Sequence, residues 1–145
     1  MAPTCVFCGI SSGELPADLV YEDEEVIAFL PLALQANAHV LVAPRRHACA
    51  IWDLEPRLLG RTAEVARELA VRMRAIGATG INLLHASGAD AQQSVPHFHL
   101  HVLARHPADG LDAWPRLPDV AVDREALVRR LVSGGRDRRA PGGSW

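Results

Sequence analysis

The 145-residue chain contains no lysine, and all 15 of its basic residues are arginine. That absence excludes a Schiff-base lysine, a lysine general base and the lysine of a phosphate-binding P-loop. Charge of either sign is nearly balanced, with a formal net value of −2. No global basic field gathers a nucleic-acid polymer, so any phosphate recognition has to be local. No apolar run approaches the ~20 residues of a membrane span. Residues 1–8 lack both the positive region and the long apolar core of a signal peptide, which points to a cytoplasmic protein without a membrane partner. Cysteine is scarce: Cys5, Cys8 and Cys49 without an export signal argue against a disulfide framework and for metal or free thiols.

What is present has the size of one domain, 49% hydrophobic and 22% charged. Val20 to Leu30 reads as two short strands about a bend at Glu22 to Glu25, and His39 to Ala43 as a buried strand closed by Pro44. From Asp53 to Ile76, the residues Leu54, Leu58, Val65, Leu69, Met73 and Ile76 recur at helical spacing, with arginines on other faces. Asp53 is the expected N-cap, Pro56 suits the first turn and Gly77 the end. Ile81 to His85 and Val95 to Ala104 read as strands flanking a small-residue loop around Gly88, and Arg124 to Val132 as a short helix. Without regular strand–helix alternation, the pattern predicts an α+β fold. Its antiparallel sheet has about five strands, with one long helix and one or two short ones. Residues 1–132 are expected to form a single domain and residues 133–145, with four glycines and three arginines, a flexible tail.

Four of the seven histidines fall between His97 and His106. In His97-Phe98-His99-Leu100-His101-Val102-Leu103, imidazoles alternate with apolar side chains, so an extended strand would put three histidines on one face and Phe98, Leu100 and Val102 on the other. Same-face neighbours are about 6.6 Å apart, which separates His97 from His101 by roughly 13 Å, too far to ligate one metal together. Two adjacent histidines remain close enough to share one. Desolvating three titratable groups together has a cost that a purely structural strand need not meet. Cys5 and Cys8 have the spacing of a zinc half-site, which needs two further N or S donors for tetrahedral closure.

Residues 97–103 match at every position the signature His-φ-His-φ-His-φ-φ, φ being apolar, and the chain resembles the histidine triad (HIT) family. The resemblance extends over about residues 4–106, through Cys5-Val-Phe-Cys8, His39-Val-Leu-Val-Ala-Pro-Arg-Arg-His47, Gly80-Ile-Asn82 and Gln93-Ser94-Val95. It implies a HIT-like fold, a homodimer, and a nucleotide hydrolase or transferase acting on phosphoramidates, dinucleoside polyphosphates or nucleotidyl conjugates. A neutral imidazole is a good nucleophile near pH 7; attack by His99 on an α-phosphorus would give a nucleotidyl-histidine intermediate, with His101 assisting proton transfer. By resemblance, Ser94 and the backbone after it serve the α-phosphate, Gln93 shapes that loop, and Asn82 lies near phosphate or ribose. Ile10 and Phe29, with Phe7, are candidates to sandwich a base, and Leu111 to Pro115, around Trp114, to close a site across a dimer. In zinc-bearing members the matching ligands are Cys5, Cys8, His47 and His97, which would leave His99 free for chemistry. Cys49 reads as a small buried apolar residue, and His39 and His85 as structural hydrogen bonders.

Two departures bear on the substrate. Where many members carry an acid suited to gripping ribose, this chain has Phe29-Leu30-Pro31; eleven residues before His97, in place of an amide side chain, stands Ala86, with Ser87 one step away as a substitute donor. They leave two further readings in play: a nucleotide-binding module with little catalysis, and a hydrolase whose reactive metal is held by His97 and His99.

Overall fold

The computed structural model describes residues 5–113 and 115–134. They fall into two units with the boundary after Ala113. In the first, α1 (Val6–Ser12) precedes β1 (Leu19–Glu22), β2 (Val26–Phe29) and β3 (His39–Pro44). Next come a 3-10 turn (Ile51–Asp53), α2 (Pro56–Ala75), β4 (Gly80–Leu84), a second 3-10 turn (Ala89–Ala91) and β5 (Leu100–Arg105). The strands form one five-stranded sheet in the order β1-β2-β3-β5-β4, every neighbouring pair antiparallel. The α+β architecture expected from the sequence is the one observed.

β1 and β2 make a hairpin because Asp23 organises the bend. Its Oδ1 accepts the backbone N–H groups of Glu25 and Val26 at 2.8 and 2.7 Å, and its Oδ2 takes Arg61 Nη2 at 2.6 Å. These bonds hold the Asp23 carboxyl well below the usual carboxylate range, against the opposing effect of its burial. α2 presents Leu58, Thr62, Val65, Ala66, Leu69 and Met73 to the core. Val65, Ala66, Leu69 and Met73 pack on Val26, Ala28, Val40, Val42, Val102 and Ala104, so β-branched and small residues from three strands meet one stripe of the helix. Burying each Val- or Leu-sized side chain contributes about 1.5–3 kcal/mol.

α2 begins later than the periodicity indicates. Asp53 does not cap it: Asp53 closes the separate 3-10 turn and accepts the Ala50 N–H on Oδ2 at 3.1 Å, while Glu55 occupies the N-cap position ahead of Pro56. Ile76 is 79% exposed and lies past the helix, outside its buried stripe. Gly77 ends the helix as expected, with φ +111°. Its N–H bonds the Arg74 carbonyl and the Ala78 N–H that of Met73, both at 3.1 Å, a Schellman arrangement that needs a left-handed residue at its centre.

β5 also starts later, at Leu100 rather than Val95. Residues 95–99 follow a bent path: the His97 N–H turns back to the Val95 carbonyl at 2.8 Å and the Phe98 N–H crosses to Ala48 at 2.7 Å, so neither amide joins a strand ladder. Pro96, read as a strand start, sits inside this bend. In the second unit, α3 runs Arg124–Gly134, two residues beyond the expected end, with no buried residue; its first turn is held by Asp123, whose Oδ1 accepts the Ala126 N–H at 3.0 Å. Ser133 and Gly134 thus belong to α3, and the rest of the expected tail, residues 135–145, lies outside the described residues, as does Trp114. No described helix is long and apolar enough to cross a membrane.

Candidate functional site

The sheet face opposite α2 carries Ile27, Phe29, Leu41 and Ala43, partly covered by Phe7 of α1. Beside that apolar floor opens a cleft of about 770 Å³. His39, His99 and His101 line it together with Ser94, Val95, Phe29, Ile10 and Phe7. The Phe7 ring stands edge-on to both Phe29 and His99, with centroids 5.1 Å apart in each case.

Backbone partners fix the protonation pattern of the histidines. His99 is buried, and its Nδ1 lies 2.7 Å from the His97 carbonyl oxygen, which can only accept, so Nδ1–H donates and Nε2 carries the lone pair. Nε2 has no partner among the described residues, and none of their fully buried side-chain nitrogens or oxygens is unpartnered, so this atom is open to the cleft. Burial lowers the His99 pKa from its ordinary value and keeps the ring neutral near pH 7.

His101 is oriented through a second buried imidazole. The Gln35 backbone N–H donates to His39 Nδ1 at 3.3 Å, so neutral His39 bears its proton on Nε2. That proton goes to His101 Nδ1 at 2.9 Å, leaving His101 with an Nε2–H free to donate into the cleft. The rings of His99 and His101 are 5.0 Å apart. Burial, reinforced by the neighbouring His99, His39 and His85, pushes the His101 pKa down to about 4. His39 is therefore more than the structural hydrogen bonder expected from sequence. No spacing in the sequence signals this role, because it arises from strand register: Leu41, two residues after His39 on β3, pairs with His101.

His97 turns elsewhere. Its Nε2–H donates to the Pro44 carbonyl at 2.8 Å, and its Nδ1 faces Cys5 Sγ at 3.4 Å and Cys8 Sγ at 3.7 Å. His47 Nδ1 lies 3.4 Å from Cys8 Sγ. The four ligand atoms of Cys5, Cys8, His47 and His97 all lie within 4.8 Å of one another. A tetrahedral zinc with Zn–S near 2.3 Å and Zn–N near 2.05 Å separates its N and S ligands by roughly 3.6 Å, so the donor set fits the ion in type, number and spacing. Burial and the adjacent Cys5 thiol raise the Cys8 pKa to about 11, a penalty that a dication between the thiols would reverse. The Pro44 carbonyl supplies the outer hydrogen bond that fixes a metal-binding imidazole. Because His97 and His99 face different partners, the arrangement does not offer them to one reactive metal.

The remaining candidates divide. Ser94 and Val95 line the cleft, and their backbone N–H groups have no partner among the described residues. Ile10 also lines it; Phe29 does so as a core residue, 2% exposed. Gln93 stays out of the cleft: its Nε2 donates to the Cys49 and Val95 carbonyls and its Oε1 accepts the Gly88 N–H, which pins the loop before Ser94. Asn82, on β4, is not brought to the cleft either; its Oδ1 accepts from Arg105 of β5 at 2.7 Å. Ser87 does not replace the missing amide, because its Oγ accepts the Ile51 N–H at 2.8 Å and pairs with His85 Nε2 at 2.6 Å. Cys49 is half-buried rather than packed in the core, with Sγ 3.4 Å from His47 Nε2.

A HIT domain model matches residues 12–108. The chain belongs to the HIT family. Protein hit of Bacillus subtilis is 34% identical over 141 residues, covering 91% of this chain and 97% of that protein. Among solved structures, a HIT family protein from Bacillus anthracis superposes with TM-score 0.81 at 31% identity, covering 93% of this chain and 99% of that one. A Zn-bound histidine triad family protein from Mycobacterium smegmatis gives TM-score 0.73 at 34% identity, covering 90% and 97%. A HIT family hydrolase from Legionella pneumophila gives 0.65 at 33%, covering 71% and 94%. The fold of this HIT protein is theirs, and its Cys5-Cys8-His47-His97 cluster is compatible with the metal that the mycobacterial protein binds.

Proposed function

We propose that this HIT protein cleaves a nucleoside monophosphate from a leaving group, as a hydrolase or transferase working through a nucleotidyl-histidine intermediate on His99. The observation that carries the reading is the unpartnered, lone-pair-bearing Nε2 of a neutral His99 at the end of an apolar cleft. Nε2 attacks the α-phosphorus, a P–N bond forms as the bond to the leaving group breaks, and the positive charge on the ring is spread through Nδ1–H to the His97 carbonyl. His101 Nε2–H donates to the leaving atom or to a phosphoryl oxygen, and the Ser94 hydroxyl with the Ser94 and Val95 amides receives the remaining oxygens. Water or another acceptor then forms a P–O bond as the P–N bond breaks, its proton passing to solvent and the P–N electron pair returning to Nε2.

Zinc, held by Cys5, Cys8, His47 and His97, would tie α1 to the bend before β5 and so support the reacting residues structurally. We infer a cytoplasmic setting, because Cys5 and Cys8 are gathered with His47 and His97 as metal donors rather than as a disulfide. Strand β4, an edge of the sheet with Leu83 51% exposed, is the place where we infer a second copy pairs to make a homodimer.

The test is intact-protein mass spectrometry of wild type and His99→Ala after incubation with nucleoside phosphoramidates, dinucleoside polyphosphates and nucleotide sugars, quenched without acid. A nucleoside-monophosphate increment on wild type alone is expected. Tight stoichiometric binding with neither adduct nor product would transfer the assignment to a nucleotide-binding module.

A further inference from the structure

The cleft has two chemically different ends. Its hydrogen-bonding side chains withdrawn from water are all imidazoles, His39 and His99 buried and His101 half-buried, gathered at the reacting end. Away from them, Val6, Ile10, Leu15, Phe29, Pro31 and Leu32 form the wall. Leu32 is wholly exposed, Val6 52% and Leu15 42%, so apolar side chains reach from the buried floor to the open rim. Pro31 offers neither a side-chain partner nor a backbone N–H. Among the described residues the other polar side chains on the lining are Ser94, at the reacting end, and Asp18 and Gln35, both exposed, where water competes for every bond they could make.

Strand register puts distances on this division. His101 pairs with Leu41, and Leu41 with Phe29. At about 4.8 Å per strand, Phe29 lies roughly 10 Å across the sheet from His101, with Leu41 between them. A nucleotide whose phosphorus is at the histidines and whose base is over Phe29 therefore rests its sugar above Leu41, a side chain without a polar atom.

A site that hydrogen-bonds a substrate hydroxyl with buried groups rejects the analogue lacking it by as much as about 10⁴-fold, because those groups are left unpaired; an apolar pocket discriminates far less. We propose that this cleft selects its substrate by the apolar faces of the nucleoside and does not read the sugar hydroxyls, so that ribo, 2′-deoxy and 2′,3′-dideoxy nucleotidyl compounds are equivalent substrates. This rests on the nucleotidyl-transfer reading and narrows its substrate class.

The experiment compares kcat/KM of the wild-type protein on the 5′-phosphoramidates of adenosine, 2′-deoxyadenosine and 2′,3′-dideoxyadenosine. The three values are expected to agree within about threefold; a fall of tenfold or more on removing the hydroxyls overturns the proposal. If none is cleaved, the catalytic reading fails by itself. Equilibrium dialysis of the three corresponding 5′-monophosphates then decides the specificity: affinities within about threefold support it, and a tenfold spread or no binding of any of them overturns it. Leu32→Ala, at a fully exposed position that leaves the core intact, is expected to weaken all three by the same factor; a change in their ratio counts against the proposal.

Discussion

The two faces of the sheet are made from the same strands yet do opposite things with burial. On the α2 face, Val26, Ala28, Val40, Val42, Val102 and Ala104 meet a helix of twenty residues, and these buried strand residues include no titratable group, the half-buried Tyr21 lying at their margin. On the other face a seven-residue helix covers the floor incompletely, and the space left over holds His39, His99 and His101. Alternation along β3 and β5 serves both: each apolar residue sent to α2 sends its neighbour to the cleft. One face stores stability and the other keeps three imidazoles neutral and aimed, so substitutions on the two faces should separate stability from activity.

The largest separation comes from His99→Ala, which is expected to reduce turnover by at least about 10³-fold, with the denaturation midpoint and zinc content unchanged; steady-state cleavage and metal analysis on one preparation check both. Leu69→Ala is its counterpart, expected to cost about 3 kcal/mol in urea unfolding while kcat at low denaturant stays within about twofold. If Leu69→Ala lowered kcat as severely as His99→Ala, the two faces would not be independent.

Acid tests the buried imidazoles, those of the cleft and also His97 of the cysteine cluster, whose pKa burial lowers to about 4. His101 has a folded pKa of about 4, and the unfolded chain returns it to the ordinary histidine value near 6.5. The unfolded state therefore binds more protons between these values. Stability is full above pH 6.5 and declines as pH falls toward 4, by roughly 3 kcal/mol for His101; His39 and His99 are lowered in the same direction. Urea midpoints measured from pH 8 to 4 check the slope, and a flat profile would mean that these rings are not buried neutral. Cys8→Ser should abolish zinc retention in a chelator competition and lower stability by about 2 kcal/mol or more. The smallest effect expected is that of His39→Gln, which keeps a polar group beside His101 but loses the imidazole relay. A tenfold fall in kcat with KM little changed would mark it as a positioning residue.

Much of this was legible before any coordinates. The helical spacing of Leu58, Val65, Leu69 and Met73, the bend around Asp23 and the Cys5-Cys8 half-site all report side chains whose spacing is regular or whose chemistry is rare, whereas His47 and His97 as the other two donors follow from the family resemblance. Other positions depend on partners that the sequence does not reveal. The short polar side chains of Asp53, Ser87 and Asn82 hydrogen-bond Ala50, His85 and Arg105 respectively. The early strand start at Val95 followed from alternation, which survives in the side chains although the amides of His97 and Phe98 have left the ladder. His39 reads from the sequence as a hydrogen bonder without a named partner, because that partner, His101, is 62 residues away on the neighbouring strand.

Residue 97 gives that bend a mechanical meaning. Its ring is gripped at both nitrogens, by the Pro44 carbonyl on one side and the cysteine sulfurs on the other, while its own carbonyl receives the proton of His99 Nδ1. The ring of residue 99 thus hangs from a peptide unit clamped at a different centre. Its aim is set by a short lever whose fulcrum is the Cys5-Cys8 cluster, and a small rotation there would swing the lone pair of His99 within the cleft, although none of the cluster's own side chains lines it.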